Sequence, residues 1–231
     1  MSKRPVFIAQ VNSNKFVEES EVEFQWFPGF AVSQKQKSIS SLHENFQKNN
    51  PNLKILEISS KSENELGVKL SAFNLMIVKG NVKYSVESAF QASKVFESGG
   101  PYKEIFKLDS LEAKRYKKLK ESGDLIRFEF FGTKWELEPK TLFYDWLYIN
   151  ALAKNSDLAK KVIEYDAFTD IEFNPKKSIN NQAKAAALYV SLFRRGLLVT
   201  ALENPQSYRK VIGELFDIYN PLKQLKMFEK N

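Results

Sequence analysis

Tyr84-Ser85-Val86-Glu87-Ser88-Ala89-Phe90-Gln91-Ala92-Ser93-Lys94-Val95-Phe96 is the stretch from which the rest of the chain is read. At about 100° per residue, Val86, Ala89, Phe90, Ser93 and Phe96 fall on one side of a helix, and Glu87, Gln91 and Lys94 form a narrow polar stripe opposite. The spacing predicts a helix over 86–96 with Val86, Ala89 and Phe90 packed inward, stopped by Gly99-Gly100-Pro101. A helical side chain leans toward the N-terminus, so Lys94 would point back toward Gln91 and Glu87. Along the axis Glu87 and Lys94 would lie about 10.5 Å apart, and both side chains are long enough for their heads to meet around a sugar. The same stripe also fits a solvated face with spaced charges, and spacing alone leaves both readings open.

Upstream of that segment, Val6 to Ile8 and Val22 to Trp26 read as short strands, the second ended by Pro28-Gly29. Ser33 is placed to cap a helix whose Ile39, Leu42, His43 and Phe46 share a face and which stops near Asn49-Asn50-Pro51. A strand over Leu53 to Ile58 leads into the polar loop Ser59-Ser60-Lys61-Ser62. The apolar segment Leu66 to Val78 and the turn Lys79-Gly80-Asn81 follow. Downstream, helices are expected from Ser110 to Ser122-Gly123, from Pro139 through the stripe Leu142, Trp146, Ile149 and Ala153, and over Asp157 to Tyr165, Ala183 to Arg194 and Ser207 to Ile218. The expected fold class is therefore α+β, mainly helical, with residues 1–54 as a small β-containing N-terminal module. Residues 55–231 form the larger domain, ending in a C-terminal helical extension.

Composition narrows the chemistry. The chain has 231 residues, 43% of them hydrophobic, enough to bury a sizeable core. It has no cysteine and one histidine, which excludes disulfides, thiolate nucleophiles, Cys-based zinc sites and any site needing two imidazoles. Neither metal nor cofactor is expected. After Met1-Ser2-Lys3-Arg4-Pro5 come only four consecutive apolar residues, Val6 to Ala9, too few for a signal-peptide core, and no later run approaches a membrane span. A cytoplasmic protein with no membrane partner is expected. Lys and Arg number 35 against 28 acids, a net +7, which attracts phosphates over a salt-dependent range but also occurs on solvated surfaces that bind none.

The order Glu87-Ser88-Ala89-Phe90-Gln91-Ala92-Ser93-Lys94 resembles the signature helix of the NADAR family, in which a Glu-His dipeptide is followed by an aromatic, Gln, Ala and Lys at this spacing. Leu70-Ser71-Ala72-Phe73 resembles the family's Leu-Ser-Asn-Phe, Ser59-Ser60-Lys61-Ser62 its preceding serine loop, and Trp135 and Asp170-Ile171-Glu172-Phe173-Asn174-Pro175 its Trp and Leu-Val-Glu segments. The likeness covers roughly Leu56 to Arg194. A closer likeness, to the branch associated with DarT toxins, adds Phe24-Gln25-Trp26-Phe27-Pro28-Gly29-Phe30, Ser33-Gln34-Lys35-Gln36-Lys37-Ser38 and Leu66 to Leu75. Three departures stand out: Ser88 replaces the family's His, Ala72 replaces its Asn, and no acidic-Trp-Gly segment lies between Lys176 and Gln182.

This resemblance implies an N-glycosidase that removes ADP-ribose from ADP-ribosylated guanine in DNA, an antitoxin whose functional partner is a DarT-type toxin. Glu87 would be the acid and base, and Lys94 a partly desolvated amine able to form a Schiff base with the opened ribose. Direct attack by water, with Lys94 stabilising anionic charge, is the alternative. Gln91 would orient Glu87 or a ribose hydroxyl. Ser71, Phe73 and Ser59 join the substrate contacts, and Lys61 would hold the pyrophosphate with neighbouring backbone N–H groups, unless that loop is a plain polar turn. Glu172 enters as a pocket acid, with Asp170 beside it, although alternation on a short strand gives the same pattern. Tyr102 could stack on a base. His43, with Ile39, Leu42 and Phe46 around it, reads as structural, and the three tryptophans as core. Lys35 and Lys37 fit either DNA phosphates or a solvated face. Two rival functions remain: an N-glycosidase on a ribosylated pyrimidine phosphate of riboflavin synthesis, and a non-catalytic ADP-ribose or DNA-binding module.

Overall fold

The computed structural model describes residues 1–174 and 178–218; Pro175 and the part of the C-terminal extension after Ile218 lie outside them. Its organising element is a four-stranded sheet in the order β2-β1-β9-β3, built from β1 (Ser2–Ala9), β2 (Val17–Phe24), β3 (Ile55–Glu57) and β9 (Ala167–Thr169). The chain is α+β. β1 and β2 form an antiparallel ladder from Ser2↔Phe24 to Ala9↔Val17, β9 runs antiparallel to β1, and β3 lies parallel to β9 with Leu56 opposite Phe168. The sheet thus joins strands from both sides of residue 54.

Period-two alternation explains how this sheet divides the interior, because neighbouring side chains leave opposite faces. Val6 and Ala167 join Phe24, Ile39, Leu42 and Phe46 in one apolar cluster, which seats α1 (Val32–Asn49) on that face. Phe7 and Phe168 point the other way, into the main core. There they meet α8 (Gln182–Arg194), whose buried Ala183, Ala185, Ala186 and Ala187 let the backbone approach closely. They also meet α6 (Leu142–Lys154), which contributes Phe143, Leu147, Tyr148 and Leu152.

Between β3 and α6 the chain builds one flank of the future site. It comprises α2 (Glu65–Leu70), the hairpin β4 (Met76–Lys79) and β5 (Val82–Ser85), and α3 (Val86–Ala92). The second flank is a three-stranded sheet of β6 (Lys94–Phe96), β7 (Leu125–Phe130) and β8 (Thr133–Trp135). The short helix α4 (Ser110–Arg115) packs against α3, and α5 (Lys118–Glu121), α7 (Ser156–Val162), α9 (Leu198–Leu202) and α10 (Pro205–Ile218) complete the described chain. Among the described residues no helix is long and apolar enough to cross a membrane.

Several expectations change here. The helix expected over 86–96 stops at Ala92, where Ser93 caps it, and Lys94 begins a strand. Lys94, Val95 and Phe96 pair with β7, so a tertiary ladder takes the segment out of its helical period. The helix expected from Ser110 to Ser122 breaks between Arg115 and Lys118 into two. Pro139 precedes α6 rather than opening it, since Thr141 is the N-cap. Ser33 lies inside α1 behind the Ala31 N-cap, which has no side-chain cap bond. The β7–β8 hairpin, turned at Phe131-Gly132 with positive φ at both residues, has no counterpart in the reading of the sequence.

Candidate active site

A cavity of about 1050 Å³ opens where α3, β6, the Ser71–Phe73 turn, the start of α6 and the segment after β9 converge. Glu87, Gln91, Lys94, Ser59, Ser71, Phe73 and Glu172 all line it. Lys61 and Tyr102 do not. Lys61 contributes its backbone N–H to a turn closed by Ser59 Oγ at 3.1 Å, and Tyr102 bonds through its hydroxyl to Ser122 and packs with Phe96 and Tyr116.

Every residue of α3 is buried, so the polar stripe is not a solvated face. Ser85 caps the helix by accepting from the Ser88 N–H at 3.0 Å, and the Ala72 carbonyl accepts from the Glu87 N–H at 2.9 Å. The i, i+4 spacing brings Gln91 over Glu87, and its Nε2 donates to Glu87 Oε1 at 2.9 Å. Lys94 reaches the same cavity from β6, its Nζ 5.1 Å from the centre of the Phe90 ring. Burial pushes the Lys94 amine below its ordinary value; the Glu87 charge opposes this and the Lys114 charge adds to it. Tyr144, on α6, also lines the cavity, and burial, with the Glu87 charge adding, holds its phenol well above the usual range. Carboxylate, amide, amine and phenol thus converge on one cavity.

Strand pairing also places two carboxyls together, Asp170 on the cavity lining and Glu57 behind it. Glu57 ends β3 and Asp170 follows β9, its parallel neighbour. Glu57 accepts from the Ile171 N–H at 2.8 Å and the Thr169 hydroxyl. Asp170 accepts from the Glu172 and Phe173 N–H groups and from Gln182 Nε2 at 3.0 Å. Burial, reinforced by the Glu57 charge, pushes Asp170 up to about 8; burial also raises Glu57. His43 is 2.8 Å from the Thr169 hydroxyl, and burial lowers it to about 4, which keeps it a neutral structural partner at neutral pH. Glu172 sits at the cavity edge, 3.5 Å from Lys35 Nζ, and Lys35 also lies over the Trp26 ring.

Gln182 ties these parts together. Its Nε2 donates to the Ile58 carbonyl at 2.7 Å as well as to Asp170, and its Oε1 accepts from the Ala72 N–H at 2.7 Å. Gln182, Lys114 and Tyr144 were missed in the sequence. Gln182 only opens a helix after a conventional Asn181 cap, and its three partners are remote in the chain. Lys114 is one of many surface lysines, and Tyr144 sits in a run of core aromatics. The two family departures also have local readings. Ser88 faces away from the cavity, sharing bonds with Ser85 and the Leu108 carbonyl. Ala72 lines the cavity while its backbone serves Gln182 and Glu87.

The family model described as DarT1-associated NADAR antitoxin matches residues 2–217 of the chain. No curated protein matches it.

Proposed function

We propose that this chain, which belongs to the DarT1-associated NADAR antitoxin family, is an N-glycosidase that removes ADP-ribose from ADP-ribosylated guanine in DNA. It would act in the cytoplasm against the product of a DarT-type DNA ADP-ribosyltransferase. The observation that carries this reading is the Glu87–Gln91 pair facing the same cavity as the Lys94 amine. The volume, about 1050 Å³, stands at the upper end of the roughly 300–1,000 Å³ usual for small-molecule sites. That favours a nucleotide sugar over a pyrimidine phosphate.

Breaking the bond between a guanine nitrogen and the anomeric carbon requires that guanine gain a proton and the carbon an electron pair. Glu87 supplies the proton, and Gln91 fixes the orientation of its carboxyl. The Lys94 amine, made more available in its neutral form by burial, donates its pair to the anomeric carbon as guanine leaves. Glu87, now a carboxylate, carries a proton from the Lys94 nitrogen to the ring oxygen as the bond from the anomeric carbon to that oxygen breaks, and the ribose opens to an imine. Water adds to that imine with Glu87 acting as base, which releases ADP-ribose and returns the amine. In this reading Ser59, Ser71 and Phe73, which line the cavity, hold the sugar and its diphosphate, and Glu172 meets a hydroxyl at the rim.

The test incubates purified protein with guanine-ADP-ribosylated DNA and, separately, with the ribosylated pyrimidine phosphate. Free ADP-ribose from the DNA is expected, and Glu87→Gln should suppress its release while retaining ligand binding. Turnover of the pyrimidine substrate alone would move the assignment to the riboflavin-type reaction. Turnover of neither would leave a binding module.

A further inference from the structure

We infer that the Tyr144 hydroxyl is a sugar-binding group that holds the ribose hydroxyl next to the anomeric carbon; this rests on the glycosidase reading above. Tyr144 stands in the first turn of α6 and lines the cavity although only 6% of its surface is exposed. Its ring is fixed by its neighbours. Phe90 meets it edge-on with the ring centres 5.2 Å apart, and Tyr148, one helical turn on, stacks at 6.5 Å. A tyrosine buried this far ordinarily gives its hydroxyl a hydrogen-bond partner. Tyr148 does so, donating to the Leu70 carbonyl at 2.7 Å. Among the described residues the Tyr144 hydroxyl has no such partner. The Tyr84 and Tyr208 hydroxyls also lack one, but they are sealed from solvent, whereas that of Tyr144 is not, and the cavity is what the residue lines.

The surroundings decide what this hydroxyl takes. The Phe90 ring that packs on Tyr144 also carries the Lys94 amine, 5.1 Å from its centre, so Tyr144 borders the volume in which Glu87 and Lys94 act on the anomeric carbon. Burial, with the charges of Glu87 and Asp170 adding, holds the phenol well above its usual range, so it keeps its proton and donates at any working pH. The polar groups that act on it from the cavity wall, Glu87 and Asp170, are carboxyls. They suit a ligand group that accepts from the phenol and donates to an acid. A hydroxyl does both, whereas a phosphate oxygen or a base carbonyl only accepts. The ribose hydroxyl nearest the bond that Glu87 helps to break is the one on the carbon next to the anomeric carbon, and a sugar seated for that reaction brings it to Tyr144.

Calorimetric titration with ADP-ribose, and with its analogue lacking that hydroxyl on the terminal ribose, tests the assignment without turnover. The wild type should bind ADP-ribose on the order of tenfold more tightly, because the analogue leaves the phenol unpaired. Tyr144→Phe keeps the ring packing and should bind the two sugars within about twofold of each other, since both partners of the bond are then absent or free to meet solvent. Tyr148→Phe gives up its bond to Leu70 and is the control for loss of packing: it should melt at a lower temperature and keep the tenfold preference. A wild type with no preference, a Tyr144→Phe protein that retains it, or a Tyr148→Phe protein that loses it equally would overturn the inference. So would binding of neither sugar. If the wild type shows the expected preference but releases nothing from guanine-ADP-ribosylated DNA, the glycosidase reading fails alone and the sugar contact of Tyr144 stands.

Discussion

Replacing Gln182 by Leu should destabilise the protein by about 3 kcal/mol, because one amide satisfies three buried groups from three separate segments. The Ala72 residue is 4% exposed and Ile58 fully buried, so the Ala72 N–H and the Ile58 carbonyl would lose their 2.7 Å partner. Each such orphaned group costs about 1–3 kcal/mol, and the loss of the Asp170 contact adds roughly another 1, partly offset by burying the leucine. For a chain of this length that corresponds to a fall in Tm of roughly 6 to 12 °C. Thermal denaturation followed by circular dichroism reads it directly. Gln182→Glu supplies a control: it keeps an acceptor for Ala72 but loses the donor and brings a second carboxylate to Asp170. It should be destabilised too, and increasingly as pH rises. Activity should suffer in both variants beyond what unfolding explains, since Gln182 positions the backbone that receives the Glu87 N–H. A Gln182→Leu protein within about 1 kcal/mol of wild type would refute the idea that this amide holds the cavity wall together.

Borohydride added during turnover should fix ADP-ribose covalently to Lys94, detectable as a mass increase on the peptide that contains it. Lys94→Arg should abolish both trapping and most activity, because a guanidinium does not lose its proton; an active arginine variant with no adduct in the wild type would mean that water attacks directly. For the buried acids, the native state holds a proton on Asp170 up to about pH 8, whereas the unfolded chain releases it near 3.8. Native protein therefore binds more protons across that window, so this group's contribution is full below about 3.8 and is lost as pH rises toward 8. Asp170→Asn should flatten the decline in Tm from pH 4 to 8 relative to wild type. His43, lowered from 6.5 to about 4, acts in the opposite sense between those values, which makes the difference between the two proteins the quantity to measure. An identical pH profile in the Asn variant would show that the pair is not protonated as described.

How much of this was legible depended on whether the deciding contacts were local. Glu87 and Gln91 are four apart on a real helix, so their pairing follows from helical geometry and was readable. Lys94 has the right address for a different reason from the one its spacing suggests. Its strand is set by pairing with Phe128 and Arg127, more than thirty residues on, and no periodicity within 86–96 can report a partner at that distance. The amine still reaches Glu87's cavity because β6 continues directly from the end of α3. The β7–β8 hairpin carried a local signal, alternation over Leu125–Phe130 and a Phe131-Gly132 turn, but it was overshadowed by the helices expected on either side. Glu57 and Asp170 could not have been paired from sequence, since only the parallel register of β3 on β9 sets them side by side. Periodicity likewise identifies residues that share a face without identifying what that face meets. The Glu87 stripe reads equally as solvated or enclosed until α6 and the three-stranded sheet are placed around it. Once they are, the Glu87 carboxyl is 8% exposed, with the Gln91 amide donating to it and the Lys94 amine lining the same cavity, the surroundings that the proposed proton transfer to a leaving base calls for.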